Sequence, residues 1–132
     1  PVAARVGPAI ALLGYRMPPG GRLPPDALEI ELVWRCEARL DVPYRAFVHL
    51  ESDRVWTQHD DDPANRLPCT LWRPGQTLTG DFRLVLPPGL PHGDYALNVG
   101  LYHPVTLERL PIADGDGTPL GDHLTLATLH AE

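Results

Sequence analysis

Histidines and carboxylates are the side chains of this chain that could move protons or bind a metal ion, and it has 6 His and 17 Asp or Glu residues. No two of its histidines have the spacing of known metal-ligand motifs. Two acidic stretches, 59–62 and 114–116 with Asp122, could offer oxygen ligands of the kind that calcium prefers. Asp and Gly are also the usual residues of tight turns. We therefore predict turns at both stretches and no metal site.

Nucleophilic catalysis finds little support in the sequence. The only serine, Ser52, falls in a predicted hairpin turn and lacks the Gly-x-Ser-x-Gly setting of a serine nucleophile. Cys36 occupies a core position of a predicted strand, and Cys69 lies in a loop beside Trp72. A nucleophilic cysteine instead needs an exposed and activated thiol. We predict no catalytic residue and no cofactor.

Aromatic and planar polar side chains favour a different chemistry, the binding of a sugar. The apolar face of a sugar packs on an aromatic ring, and its hydroxyls need polar partners. If the turn at 51–54 closes symmetrically, His49 lies opposite Trp56 and Phe47 lies opposite Gln58, all on one face of a hairpin. The candidate sugar-binding residues are His49, Trp56, Gln58, Trp72 and Tyr102. The alternative is that Phe47 and Trp56 point into the core, as large aromatic side chains usually do.

Strands are the elements that would position these residues. The clearest is 28–36, where apolar and polar residues alternate with period two. Further strands are predicted at 9–15, 44–50, 55–60, 77–86, 94–102, 108–112 and 123–130. Gly and Pro separate these runs, and no window has a helical stripe. The pattern predicts one all-β domain over residues 1–132, a two-sheet antiparallel β-sandwich of immunoglobulin-like type with about eight strands.

Three individual residues test this arrangement. Tyr95 follows a Gly-Asp step and resembles the corner tyrosines of sandwich folds, whose hydroxyl bonds the backbone. Cys36 and Cys69 could approach each other and form a disulfide, which would stabilise the fold. Two free thiols are the alternative, because buried free cysteine is common.

Charge and composition exclude two classes of partner. The net charge is −6, and the basic residues are scattered arginines, so the chain lacks the basic face of a nucleic-acid-binding protein. No apolar stretch is long enough to insert into a membrane. The chain begins at Pro1 and shows no targeting segment, which we interpret as a piece of a longer polypeptide. We expect this piece to be monomeric.

A series of short runs resembles a known family. In chain order the runs are 44–50 (YRAFVHL), 58–60 (QHD), 71–75 (LWRPG), 86–89 (LPPG), 91–95 (PHGDY), 99–102 (VGLY) and 108–111 (ERLP). They resemble a β-sandwich module at the C-terminal end of bacterial polytopic membrane proteins, which are similar to dolichyl-phosphate-mannose mannosyltransferases and are described as glycosyltransferases. The resemblance covers about residues 12–130. The chain departs from the pattern at 51–54, at 61–62 and at Cys69.

The resemblance implies a non-catalytic accessory domain. Such a domain would lie on the extracytoplasmic face of the membrane, after the last transmembrane helix of its parent protein. Its implied partners are a glycan or the membrane-embedded part of that protein. The sequence leaves a carbohydrate-binding module as the alternative function.

Overall fold

The computed structural model describes residues 3–132 and confirms the all-β prediction. Its strands are β1 Ala4–Val6, β2 Ile10–Arg16, β3 Ala27–Cys36, β4 Arg45–Glu51, β5 Val55–Asp61, β6 Thr77–Val85, β7 Gly93–Tyr102, β8 Ile112–Asp114, β9 Pro119–Gly121 and β10 Leu124–Ala131. Seven of the eight predicted strands are present, whereas the strand expected at 108–112 shares only Ile112 with β8. β1 and β9 were not predicted, because three residues are too few to show a period of two. A short 3₁₀ turn at Cys69–Leu71 interrupts the long loop.

Two antiparallel sheets pack face to face. One sheet has the order β6-β3-β2-β1-β8-β9, and the other has the order β10-β7-β4-β5. Strands β6-β3-β2 and β10-β7-β4-β5 correspond in order to strands E-B-A and G-F-C-C′ of an immunoglobulin-like sandwich. The connection from β7 to β10 carries β8 and β9 into the larger sheet, where β8 pairs with β1.

The core lies between the sheets and is filled by the alternate residues of each strand. Leu28, Ile30, Leu32, Trp34 and Cys36 are all buried, as the period-two pattern of β3 predicts. The indole N–H of Trp34 donates to the Pro63 carbonyl at 3.0 Å, which fixes the long loop against β3. Tyr95 is the predicted corner tyrosine, since its hydroxyl donates to the Pro91 carbonyl at 2.7 Å.

Side chains cover the free edge of β6, at a contact between β5 and β6 that we call the β5–β6 seam. The bonds are Thr57 Oγ1 to the Val85 carbonyl (2.8 Å), the Arg83 N–H to His59 Nδ1 (3.0 Å) and the Asp81 N–H to Asn65 Oδ1 (2.8 Å). An uncovered edge would offer a row of unpaired backbone groups to another chain. The seam therefore satisfies this edge without a further strand.

The two cysteines are free and buried, so the structure has the alternative to the disulfide. Cys36 Sγ donates to the Ala38 carbonyl at 3.2 Å, and Cys69 Sγ donates to the Val42 carbonyl at 3.3 Å. Burial raises the pKa of the Cys69 thiol to about 11. Both thiols behave as core side chains that hold the 37–44 segment.

Within residues 3–132, no helix has the length and apolar character needed to cross a membrane.

Candidate functional site

The β4–β5 hairpin does not close symmetrically. His49 pairs with Gln58 and Phe47 pairs with Asp60, so the predicted pairs of His49 with Trp56 and Phe47 with Gln58 are wrong. Two causes add up: the turn pairs Glu51 with Val55 instead of Arg54, and a β-bulge then pairs Leu50 with Thr57 and leaves Trp56 as an extra residue. The register is displaced by two residues. Phe47, His49 and Gln58 therefore keep the common face that the sequence predicted, whereas Trp56 leaves it.

Neither candidate tryptophan offers a free ring. Trp56 packs against the edge of the core, and its indole N–H donates to Ser52 Oγ at 2.9 Å. The Arg54 guanidinium lies 3.9 Å from the centre of its ring. Trp72 is completely buried and donates to the Leu67 carbonyl at 3.2 Å. Trp72 therefore offers no face to a ligand in this structure, whereas the half-buried Trp56 contacts Arg54 and does not pair with His49.

A different set of side chains meets on the outer face of the four-stranded sheet, the face turned away from the core. We call it the outer-face cluster. Its members are Phe47, His49 and Glu51 of β4, Gln58 and Asp60 of β5, Asn98 and Tyr102 of β7, Thr125 of β10, and Arg109 and Asp122 of the β7–β10 connection. In β4 they alternate with the core residues Ala46, Val48 and Leu50, so strand periodicity alone places them together.

His49 is the centre of the cluster and is only 8% exposed. Its Nδ1 lies 3.7 Å from Glu51 Oε2 and its Nε2 lies 3.9 Å from Asp60 Oδ1, both beyond hydrogen-bonding distance. Among the described residues, His49 Nδ1 and Asp60 Oδ1 are the buried side-chain polar atoms that have no hydrogen-bond partner. Burial lowers the pKa of His49, although the carboxylates of Asp60 and Glu51 oppose this shift. The imidazole is therefore neutral at neutral pH.

A hydrogen-bond network holds both carboxylates in place. Asn98 Nδ2 donates to Glu51 Oε2 at 2.8 Å, and the Thr125 hydroxyl donates to Asn98 Oδ1 at 2.6 Å. The Tyr102 hydroxyl donates to Asp60 Oδ2 at 2.9 Å. Burial and the bond to Asp60 both raise the pKa of Tyr102, so it remains a donor. One oxygen of Asp60 is thus fixed, and the other stays available.

Phe47 supplies the apolar part of the cluster. Its ring lies 4.8 Å from the His49 ring and 6.3 Å from the Tyr102 ring, measured between centroids. The Arg109 guanidinium lies 4.2 Å above the ring centre. Gly100 makes room for the ring, since a Cβ at that position would be 2.5 Å from the Phe47 ring.

The sequence identified only part of this cluster. Of the predicted residues, His49, Gln58 and Tyr102 belong to it, while Trp56 and Trp72 do not. Asn98 shares the outward row of β7 with Tyr102, so strand alternation could have found it. Arg109 and Asp122 reach the sheet from a distant connection, and no local pattern marks them.

One of the two acidic stretches forms a turn, whereas 59–61 belong to β5, so the turn predicted there is wrong. The Asp114 carboxylate accepts the backbone N–H groups of Asp116 and Thr118, both at 2.9 Å, which closes the β8–β9 hairpin as predicted. His59 Nε2 lies 3.4 Å from Asp61 Oδ2, next to the β5–β6 seam. Throughout the described chain, no three His, Cys, Asp or Glu side chains are arranged to hold a metal ion.

No protein-family model and no curated protein matches this chain. What bears on its function is the geometry of the outer-face cluster, together with the sequence runs that carry the resemblance.

Proposed function

We propose that this chain is a non-catalytic accessory module of a membrane glycosyltransferase-like protein, and that its outer-face cluster binds a neutral, hydroxyl-rich ligand such as a glycan. In this proposal the module lies on the extracytoplasmic face of the membrane. The observation that carries the ligand site is the pair of buried, unpartnered atoms, His49 Nδ1 and Asp60 Oδ1. An unsatisfied buried polar group costs about 1–3 kcal/mol, so its persistence requires an explanation.

The chemistry of these atoms favours a hydroxyl group. A neutral imidazole has one N–H donor and one nitrogen lone pair, and a carboxylate only accepts. Because His49 lies between Glu51 and Asp60, one of its nitrogens must direct a lone pair toward an acceptor. Two neighbouring hydroxyls of one ligand can each donate to one of these two acceptors, which relieves this conflict.

Charge disfavours an anionic ligand. Glu51, Asp60 and Asp122 contribute three carboxylates to the cluster, against the guanidinium of Arg109 and the neighbouring Arg45, which donates to the Asp60 carbonyl at 3.1 Å. Like charges brought together at a partly buried surface are unfavourable. A neutral glycan meets no such penalty.

The resemblance gives independent support. The runs at 44–50, 58–60, 99–102 and 108–111 contain Phe47, His49, Gln58, Asp60, Tyr102 and Arg109 of the outer-face cluster. The runs at 86–89 and 91–95 instead supply turns and the corner tyrosine. A sandwich needs the turns in order to fold, but it does not need a buried histidine between two carboxylates. This surface is therefore the better candidate for what such modules share.

The test is a titration of the chain with a panel of neutral glycans, followed by ¹H–¹⁵N correlation spectra and calorimetry. We expect shifted amide signals at His49, Gln58, Asp60 and Asn98, with dissociation constants of micromolar or weaker because uncovering the buried groups and immobilising the ligand consume much of the contact energy. Asp60→Asn should weaken binding about tenfold by removing a charged acceptor. His92→Ala, an exposed loop position, is the matched control and should change nothing. If no glycan of the panel shifts these amide signals, the proposal that the cluster binds a glycan is wrong.

A further inference from the structure

One aromatic ring lies outside the core and is nevertheless buried from solvent. Phe47 is 2% exposed, although it belongs to the outer face of the four-stranded sheet and not to the core between the sheets. On the solvent side, the Arg109 guanidinium lies 4.2 Å from the centre of the ring. Arg109 therefore covers one face of this ring, and the rings of His49 and Tyr102 lie beside it at centroid distances of 4.8 and 6.3 Å.

The contacts that hold Arg109 in this position are weak. Its one side-chain hydrogen bond goes to Asp122 Oδ1 at 3.4 Å, and about one third of its side chain is exposed. A cation–π contact at an exposed site contributes little. The guanidinium can therefore leave the ring at small cost.

An open groove lies beside Arg109 and could receive it. The groove has a volume of about 660 Å³ and is lined by Glu108, Arg109, Pro111, Pro119 and Asp122, among others. Glu108 and Asp122 offer carboxylates to a guanidinium that turns away from Phe47. Arg109 consequently has a second position with opposite charge and sufficient space.

We propose that Arg109 is a movable cover, and that the Phe47 ring beneath it receives the apolar face of a neutral sugar whose hydroxyls reach Asp60 and His49. This inference rests on the proposed function and specifies its ligand contact. The C–H face of a pyranose packs on an aromatic ring much as the guanidinium does now. The edge of the same ring lies beside His49, at a centroid distance of 4.8 Å, so a ligand on Phe47 is within reach of the unpartnered atoms.

A cationic ligand could also stack on Phe47, and the test separates the two classes. A quaternary ammonium compound would offset the carboxylate charges but has no N–H to donate to the lone-pair nitrogen of His49. Tetramethylammonium, which also lacks a hydroxyl, is the probe for that class. Methyl glucoside, methyl mannoside and N-acetylglucosamine are the neutral sugar probes.

The decisive variant is Arg109→Ala, titrated with these probes and compared with the unmodified chain. Removing the cover should tighten sugar binding about two- to fivefold, the factor that corresponds to a weak exposed cation–π contact. Arg39→Ala removes an exposed arginine elsewhere and should leave affinity unchanged. Asp122→Asn loosens the cover while keeping Arg109, and should act in the same direction with a smaller factor. Phe47→Leu in the Arg109→Ala background should abolish the gain.

The outcomes distinguish the cover from the function. If the unmodified chain binds sugar and Arg109→Ala binds it equally or less tightly, the cover is wrong and the glycan site stands. If Arg109→Ala prefers tetramethylammonium, the ligand class is wrong. If neither chain binds any sugar probe, both proposals fall. Thermal unfolding of each variant shows whether it is folded, and Asp122→Asn provides the answer if Arg109→Ala is not.

Discussion

Two histidines on neighbouring strands have opposite surroundings. His59, at the β5–β6 seam, accepts the Arg83 N–H at 3.0 Å, and its ring meets the Phe82 ring edge-on at 5.2 Å. His49, in the outer-face cluster, is more deeply buried and makes no hydrogen bond through Nδ1. The same residue type thus completes the fold in one place and is left unsatisfied in the other.

This difference distinguishes polar side chains that complete the fold from polar side chains that are candidates for binding a ligand. At the seam each polar side chain bonds a backbone group of β6, so removing it leaves an uncovered strand edge. In the outer-face cluster the polar side chains form hydrogen bonds mainly with one another, and two buried atoms, His49 Nδ1 and Asp60 Oδ1, have no partner. Buried networks that are only partly satisfied are costly to the fold, which is why they point to a ligand.

The largest difference in the free energy of unfolding should come from alanine substitutions at two glycines, Gly80 and Gly100. A Cβ at Gly80 would collide with the Pro63 carbonyl, which is backbone and cannot move without breaking its bond to Trp34. We expect Gly80→Ala to lower the free energy of unfolding by about 3 kcal/mol, at the upper end for overpacking. At Gly100 the obstacle is mainly the Phe47 ring, a side chain at the surface of the sheet. Gly100→Ala should therefore cost about 1–2 kcal/mol.

Urea denaturation measures both variants, and Gly115→Ala is the control. A Cβ at Gly115 would meet only the Ala3 carbonyl at 3.9 Å, so its effect should stay within about 0.5 kcal/mol. Equal losses for Gly80→Ala and Gly100→Ala would mean that the Phe47 ring of the outer-face cluster is held as rigidly as the Pro63 carbonyl behind β6.

The next largest effect on stability should come from replacing His59 or His49 by leucine. His59→Leu removes the acceptor of the Arg83 N–H and should cost about 1–2 kcal/mol. His49→Leu removes an unsatisfied group, so the free energy of unfolding should change by less than about 1 kcal/mol and could rise. The same variant should lose glycan binding. A larger stability loss for His49→Leu than for His59→Leu would assign His49 to the fold.

The sequence predicted the parts of this molecule that depend on local alternation. The core residues of β3 and the corner role of Tyr95 follow from a period of two and from a Gly-Asp step. The hairpin register did not follow, because the bulge at Trp56 changes the pairing of every residue beyond it. Without the register, Asp60 could not be placed beside Phe47 and His49.

The remaining part of the candidate site depends on contacts distant in sequence. Arg109 and Asp122 belong to a connection whose path is set by the pairing of β8 with β1. Gly100 allows that connection to cross β7, since the Asp122 carbonyl lies 3.1 Å from where its Cβ would be. Neither fact leaves a periodic signal, so sequence reasoning found the strands of the site but not its cover.

The smallest effect should appear in the pH dependence of stability. Burial holds the pKa of His49 below its ordinary value of 6.5, so the unfolded chain takes up a proton at a higher pH than the folded chain does. The neutral form therefore favours the folded state above pH 6.5, and this contribution is lost as the pH falls through the lower folded pKa. Asp60 and Glu51 partly oppose the shift, while Arg109 and His123 add to it.

We accordingly expect the unmodified chain to lose more stability than His49→Leu between about pH 7 and pH 5, the window around the ordinary histidine pKa. Denaturation curves at several pH values measure the difference between the two proteins, in which the titration of the other carboxylates and histidines largely cancels. The comparison also shows whether burial or the nearby carboxylates have the larger effect on the pKa of His49. Parallel curves would mean that the two carboxylates fully offset the burial, so that His49 keeps its ordinary pKa of 6.5. Below that pH both of its nitrogens would donate to Glu51 and Asp60, and the unpaired acceptors that call for sugar hydroxyls would be lost in the acidic range. Glycan binding should then weaken as the pH falls through 6.5, and at acidic pH the case for a glycan would rest on Phe47 alone.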